Sequence, residues 1–203
     1  MNQIPRLRWT GFGLLLGLCG LPTGSATAQD TRLTDRLPAA TATAVEALLD
    51  SAARATLPTE PLVLKALEGQ SKGADSARIV AAVRALMTNL GTARGALGTT
   101  ASESDLVAGA AALRAGAPAA SLTTLRTLRG QRSPGVALSV YADLLTSGLA
   151  ADRAWQEVRD LAERRAADSE FLELRDRTTG RGRPDGRELP PPVRSDGPEH
   201  SSP

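Results

Sequence analysis

The chain carries 22 arginines but only 2 lysines, and both lysines flank one carboxylate. Lys65, Glu68 and Lys72 lie within eight residues. A compact ammonium fills a tight site and shifts its pKa when buried, which a planar guanidinium does not do. Lys65 and Glu68 stand at i,i+3, so on a helix they share a face and form a pair contributing about 0.2–0.5 kcal/mol. Lys72 is placed to meet the free carbonyls at that helix's end. Lys65, Glu68 and Lys72 are therefore the candidate contact residues. Arg126, Arg129 and Arg132 make a second cationic series, without a nearby aromatic for base stacking. It reads as a solvated face, and no nucleic-acid partner is expected.

Residue types that are missing limit the chemistry further. The only Cys is Cys19 and the only His is His200, four residues from the C-terminus. The interior thus offers no disulfide, no thiolate, no Cys/His zinc set and no histidine for a Ser-His-Asp triad. No phosphate loop, dinucleotide fingerprint or EF-hand loop occurs. No catalytic residue, metal or cofactor is assigned.

The first 28 residues have the three-part layout of a secretory signal. Met1–Trp9 holds two arginines and no acid, Gly11–Leu21 is apolar, and Ala26-Thr27-Ala28 is a cleavage site before Gln29. The apolar run is about half the roughly 20 residues a membrane-spanning helix needs. Leu18 precedes Cys19, where a lipoprotein signal has a small residue. The expectation is export to the periplasm or beyond, cleavage after Ala28, and no transmembrane segment in the mature chain. Removing Arg6 and Arg8 leaves 22 basic and 22 acidic residues, so the formal net charge of +2 belongs to the leader. A neutral mature chain has no general attraction to nucleic acid or anionic lipid.

The elements that must position these charges are helices. Leu, Ile, Val and Phe make up 35 of the 175 residues after the leader, and only Tyr141, Trp155 and Phe171 remain as aromatics. A core of Leu, Val and Ala suits closely packed helices, and strand formers are scarce. Residues 29–40 read as a flexible leader and 41–177 as the helical domain. Asp75 caps a long helix whose stripe is Ile79, Val83, Leu86, Leu90 and Leu97. Thr100-Ala101-Ser102-Glu103 has capping-box form. Ser133-Pro134 opens another helix.

One joint recurs. Gly73-Ala74, Gly116-Ala117 and Gly148-Leu149 are each followed by an apolar residue six positions after the glycine: Ile79, Leu122 and Ala154. Thr56-Leu57, with Leu62, has the same form with Thr in the glycine place. Each predicts a helix, a left-handed stop, an apolar cover and the next helix. Spacings of 17, 43 and 32 residues between the four joints rule out a strict repeat array. The fold class is all-α: an irregular bundle or short solenoid of about seven or eight short helices in antiparallel hairpins. Residues 178–203 hold 6 of the 13 prolines, including Pro190-Pro191-Pro192, and read as a disordered tail.

The stretch Glu60–Ala74 contains Pro61-Leu62, Lys65-Ala66, Glu68-Gly69 and Lys72-Gly73. In this it resembles a group of exported, Ala/Arg-rich helical bacterial proteins with a P-L-x-x-K-A-x-E-G-x-x-K-G segment. The resemblance covers roughly residues 56–175. It implies export and helices and carries no assigned activity. The expected function is an exported helical interaction module that binds a protein or peptide partner in the envelope. The alternative is an enzyme or binder acting on an envelope polymer through Glu60 and Glu68 with Lys65.

Overall fold

The computed structural model describes residues 30–180, so the expected signal segment, 1–28, and all but the first three residues of the expected tail, 178–203, lie outside the described residues. Nine helices and no strand occur among the described residues. They are α1 (Thr31–Arg36), α2 (Ala39–Arg54), α3 (Glu60–Ser71), α4 (Ser76–Leu97), α5 (Glu103–Arg114), α6 (Ala119–Arg129), α7 (Gly135–Thr146), α8 (Ala151–Glu163) and α9 (Asp168–Thr179).

Most helices pack on the next in sequence and on the one after that. The even helices form one row, in which α4 touches α2 and α6, and α6 touches α8. The odd helices form a second row, with α1 on α3 and α5–α7–α9 in series. The result is a short two-row solenoid, an architecture in which each unit buries its apolar stripe against its neighbours.

The recurring joint is what turns the chain between rows. Thr56, Gly73, Gly116 and Gly148 all have left-handed backbone, with φ of 56°, 67°, 103° and 89°. The next amide donates back across the helix end in each case: Leu57 to Ala52, Ala74 to Gly69, Ala117 to Ala112 and Leu149 to Leu144, at 2.9–3.1 Å. These are Schellman closures, which satisfy carbonyls the helix leaves free. The apolar residues six positions after each stop, Leu62, Ile79, Leu122 and Ala154, are all buried.

A fifth copy has the same geometry. Arg165 has φ 54°, Ala166 donates to Leu161 at 2.9 Å, and Phe171 is buried six residues later. It escapes a glycine-based reading because arginine occupies the left-handed position.

Several expectations about element boundaries need correction. The expected flexible leader, 29–40, is ordered over its described residues 30–40: Asp30 caps α1, Leu33 and Leu37 are buried, and Arg32 reaches α3. The capping box sits two residues later than expected, between Ser102 and Asp105. The ninth helix ends at Thr179 with Gly180 left-handed, so helix extends slightly past the expected boundary at 177. The helix starting after Ser133 begins one residue later than expected, with Pro134 as N-cap of α7. Asp75 caps α4 by accepting from Arg78 N–H at 2.8 Å. Tyr141 and Trp155 meet across the Gly148 turn, with ring centroids 5.7 Å apart.

Candidate functional site

The segment Glu60–Gly73 can be accounted for almost residue by residue. Pro61 sits in the first turn of α3, where its missing N–H costs nothing. Leu62 and Ala66 are fully buried. Gly69 allows the crossing with α4, since a Cβ there would lie 2.9 Å from Ile79 Cγ1. Gly73 supplies the left-handed stop. The sequence pattern thus reduces to helix start, core, close approach and turn.

The three charged members are what the fold does not use. Lys65 Nζ donates to Glu68 Oε2 at 2.9 Å, and Lys72 Nζ donates to Glu68 Oε1. Their side chains are 32%, 42% and 69% exposed for Lys65, Glu68 and Lys72. Among the described residues, no hydrogen bond or ion pair links these charged groups to another helix. The ammonium of Lys72, then that of Lys65, holds the Glu68 carboxyl down to about 2. Lys72 is itself the C-cap residue of α3, and its ammonium turns to Glu68 rather than to the helix carbonyls.

Glu60 is not brought to this group. It lies eight residues, or about 12 Å of helix, before Glu68. It receives a bidentate guanidinium from Arg32, at 2.9 Å and 2.7 Å, and Arg32 also holds Asp30. Hydrogen bonding from Arg32 keeps both the Glu60 and the Asp30 carboxyls below their ordinary range. Between the two charge groups, one turn from each glutamate, stands Leu64, which is 54% exposed. The outward face of α3 is therefore an apolar side chain framed by two self-neutralising charge clusters.

The arginine series departs from expectation. Arg126 and Arg132 are exposed, but Arg129 is buried, with 2% of its side chain accessible. Its guanidinium donates to Ala166 O at 2.8 Å and Ser133 O at 3.3 Å, pairs with Asp168, and lies 5.2 Å over the Phe171 ring. Arg129 thereby ties α6 to α9. The signal was present in the spacing: Leu122, Leu125 and Arg129 follow steps of three and four on one face of α6. Arg94 plays a similar part elsewhere, donating to Thr56 O at 2.9 Å and Thr99 O at 3.0 Å.

Other surface features are shallow. An apolar groove of about 540 Å³ runs past Val107, Ala108 and Ala111 of α5 and Ser139 of α7. Another of about 430 Å³ lies between Ala40, Thr41, Ala77 and Val80 of α2 and α4. No group of three metal-ligating side chains occurs among the described residues, and no described helix is long and apolar enough to cross a membrane. In comparison with known proteins, no family model, curated protein or solved structure matches this chain.

Proposed function

We infer that this protein is an exported helical interaction module that recognises a protein or peptide partner of the envelope through the outer face of α3. The observation that carries the reading is the division of labour within Glu60–Gly73. The prolyl, apolar and glycyl positions serve the fold. Among the described residues, the charged groups of Lys65, Glu68 and Lys72 pair with one another and not with a group on another helix. The only two lysines of the chain are thus spent on a surface cluster that holds no helix in place.

An exposed leucine ringed by charges matches the anatomy of a small binding face, with an apolar anchor and a polar rim. Export is supported by the basic, apolar and A-x-A sections before Gln29. Proton-transfer chemistry at Glu68 has less support. A carboxyl held near 2 is far from the neutral range that favours a general acid or base.

The test pairs recovery from envelope extract with a thermal melt. Lys65→Arg and Lys72→Arg keep the charge but replace a compact ammonium by a broad planar group. The expected result is an unchanged Tm with a partner band that wild type recovers and the variants lose. Equal recovery by wild type and variants would remove α3 as the contact.

A further inference from the structure

We propose that the furrow between the α6–α7 loop and the α8–α9 loop binds a small ligand carrying two or more oxyanion charges, held between Arg132 and Arg165. The furrow has a volume of about 360 Å³ and is lined by Gly130, Gln131 and Arg132 on one side and Arg165 on the other. That volume is at the lower end of the range for small-molecule sites.

Its charge is uncompensated. Neither Arg132 nor Arg165 has a carboxylate partner among the described residues. The acids nearest the two loops are engaged elsewhere, while Asp160 of α8 and Glu173 of α9 pair with neither arginine. Asp168 pairs with Arg129, Glu170 with Arg164 at 3.0 Å, and Glu163 with Arg159 at 2.6 Å. Asp105, across the loop, accepts from Ser133 and closes the α5 capping box. Arg132 commits only Nη1, to Arg165 O at 3.0 Å and Ala166 O at 3.3 Å. Its Nε and Nη2, and the whole Arg165 guanidinium, remain as donors. A forked guanidinium matches phosphate and carboxylate oxygens bidentately.

Two helix C-termini meet here, and arginines near such ends often just complement the dipole. The carbonyls at these ends are already closed by backbone amides, so the two guanidinium charges exceed what the closures need and offset the negative helix ends for an anion. Gly130 N–H closes α6 onto Arg126 O and Thr127 O. Arg164, Arg165 and Ala166 N–H groups close α8 onto Asp160, Ala162 and Leu161. The Arg165 side chain adds nothing to this closure. It nevertheless occupies a left-handed position, φ 54°, where three of the other four equivalent joints have glycine. An L side chain there costs roughly 1–2 kcal/mol. The structure therefore keeps a guanidinium at the furrow rim against a backbone preference.

This position also makes the test clean. Arg165→Gly relieves the backbone, so the variant is expected to fold with a Tm at or above wild type. Arg126→Gln removes one charge from the other flank of the same loop without touching the furrow. The full chain is titrated calorimetrically with pyrophosphate and, separately, with citrate, at low ionic strength. Wild type is expected to bind at least one of them saturably, one per chain. Arg165→Gly is expected to weaken that binding about tenfold or more, the loss of one bidentate charged contact. Arg126→Gln is expected to stay within about twofold, since exposed charges act weakly at a distance. Binding of pyrophosphate alone identifies a phosphate-bearing ligand, citrate alone a polycarboxylate, and both a general oxyanion site. No saturable binding by wild type, undiminished binding by Arg165→Gly, or equal loss in both variants would overturn the proposal.

Discussion

The outer face of α3 and the Arg129 knot use the same kind of residue for opposite ends. On α3, Lys65 and Lys72 converge on Glu68 at one end of one helix, half-buried at Lys65 and in solvent at Lys72. In the knot, one guanidinium leaves α6, enters the core beside Phe171, and binds the start of α9. The first arrangement joins nothing that is not already joined by the helix backbone. The second bridges residues 37 and 39 positions apart in the chain. A charge is structural when its partners come from another element and its site excludes water. Otherwise its identity is free to serve an outside contact.

Breaking the knot is expected to have the largest effect. Arg129→Met keeps part of the packing on Phe171 but loses the bonds to Ala166 O, Ser133 O and Asp168. The expected cost is about 2–3 kcal/mol, as for a buried charged hydrogen-bond group. Thermal melts measure it, and α9 should become the first site of cleavage, at Arg175 and Arg177. The matching change on the other region, Lys65→Met with Lys72→Met, is expected to cost no more than about 1 kcal/mol, the exposed-pair range. Equal losses in the two variants would erase the distinction.

The inner face of α3 should behave like the knot rather than like its outer face. Gly69→Ala places a Cβ 2.9 Å from Ile79 Cγ1, and Ile79 is itself buried in the core. Overpacking of this kind costs about 1–3 kcal/mol, offset by up to about 1 kcal/mol of helix propensity. A net loss of about 1 kcal/mol in chemical denaturation is expected, with no change in partner recovery if α3 keeps its place.

The two non-glycine stops sharpen the comparison from another side. Thr56 O accepts from Arg94, and Arg165 O accepts from Arg132. A guanidinium from elsewhere thus holds the carbonyl at each joint where the backbone pays a left-handed penalty. Thr56→Gly is expected to raise stability by about 0.5–1 kcal/mol, relief of strain less the entropy of a freer unfolded chain. A loss on this substitution would mean that Thr56 contributes through its side chain.

The smallest effect concerns acid. Glu68 titrates near 2 when folded, below the ordinary carboxylate value of 4.5. A depressed folded value adds stability that is complete above about 4.5 and disappears as pH falls through about 2. Because the group is largely in solvent, the contribution is at most about 0.5 kcal/mol. Glu68→Gln should flatten the acid limb of the stability profile by that amount and no more.

Much of this was legible in the chain. Helix starts at Asp75 and helix stops at Gly73, Gly116 and Gly148 follow from local chemistry, which needs no knowledge of the partner helix. The six-residue rule for buried cover held at Leu62, Ile79, Leu122 and Ala154 for the same reason. The Arg165 joint was not legible, because arginine stands where the other joints have glycine or threonine, and its link to Arg132 comes from the α6–α7 loop. Arg129 was misplaced because residue type outweighed position. A charge on an apolar stripe is exposed unless a distant carbonyl and carboxylate meet it, and α9 supplies both the Asp168 carboxylate and the Phe171 ring. Docking of α1 was hidden likewise: a six-residue helix with one leucine, followed by Leu37 at its C-cap, carries too little pattern until its packing on α2 and α3 exists. At the candidate site, spacing was enough to place Lys65 beside Glu68, and only the folded helix shows Lys72 on the same carboxylate.

The division between fold charges and contact charges is tested most directly by one crossed measurement. Arg129→Lys and the Lys65→Arg, Lys72→Arg pair are prepared side by side, and Tm and partner recovery are read on the same samples. Arg129→Lys should lower Tm while the protein still folded recovers partner as wild type does, because Lys cannot serve Ala166, Ser133 and Asp168 in one plane. The α3 pair should keep the wild-type Tm and lose the partner. The opposite crossing, a destabilised α3 pair that still captures its partner beside a thermally unchanged Arg129→Lys, would contradict the account.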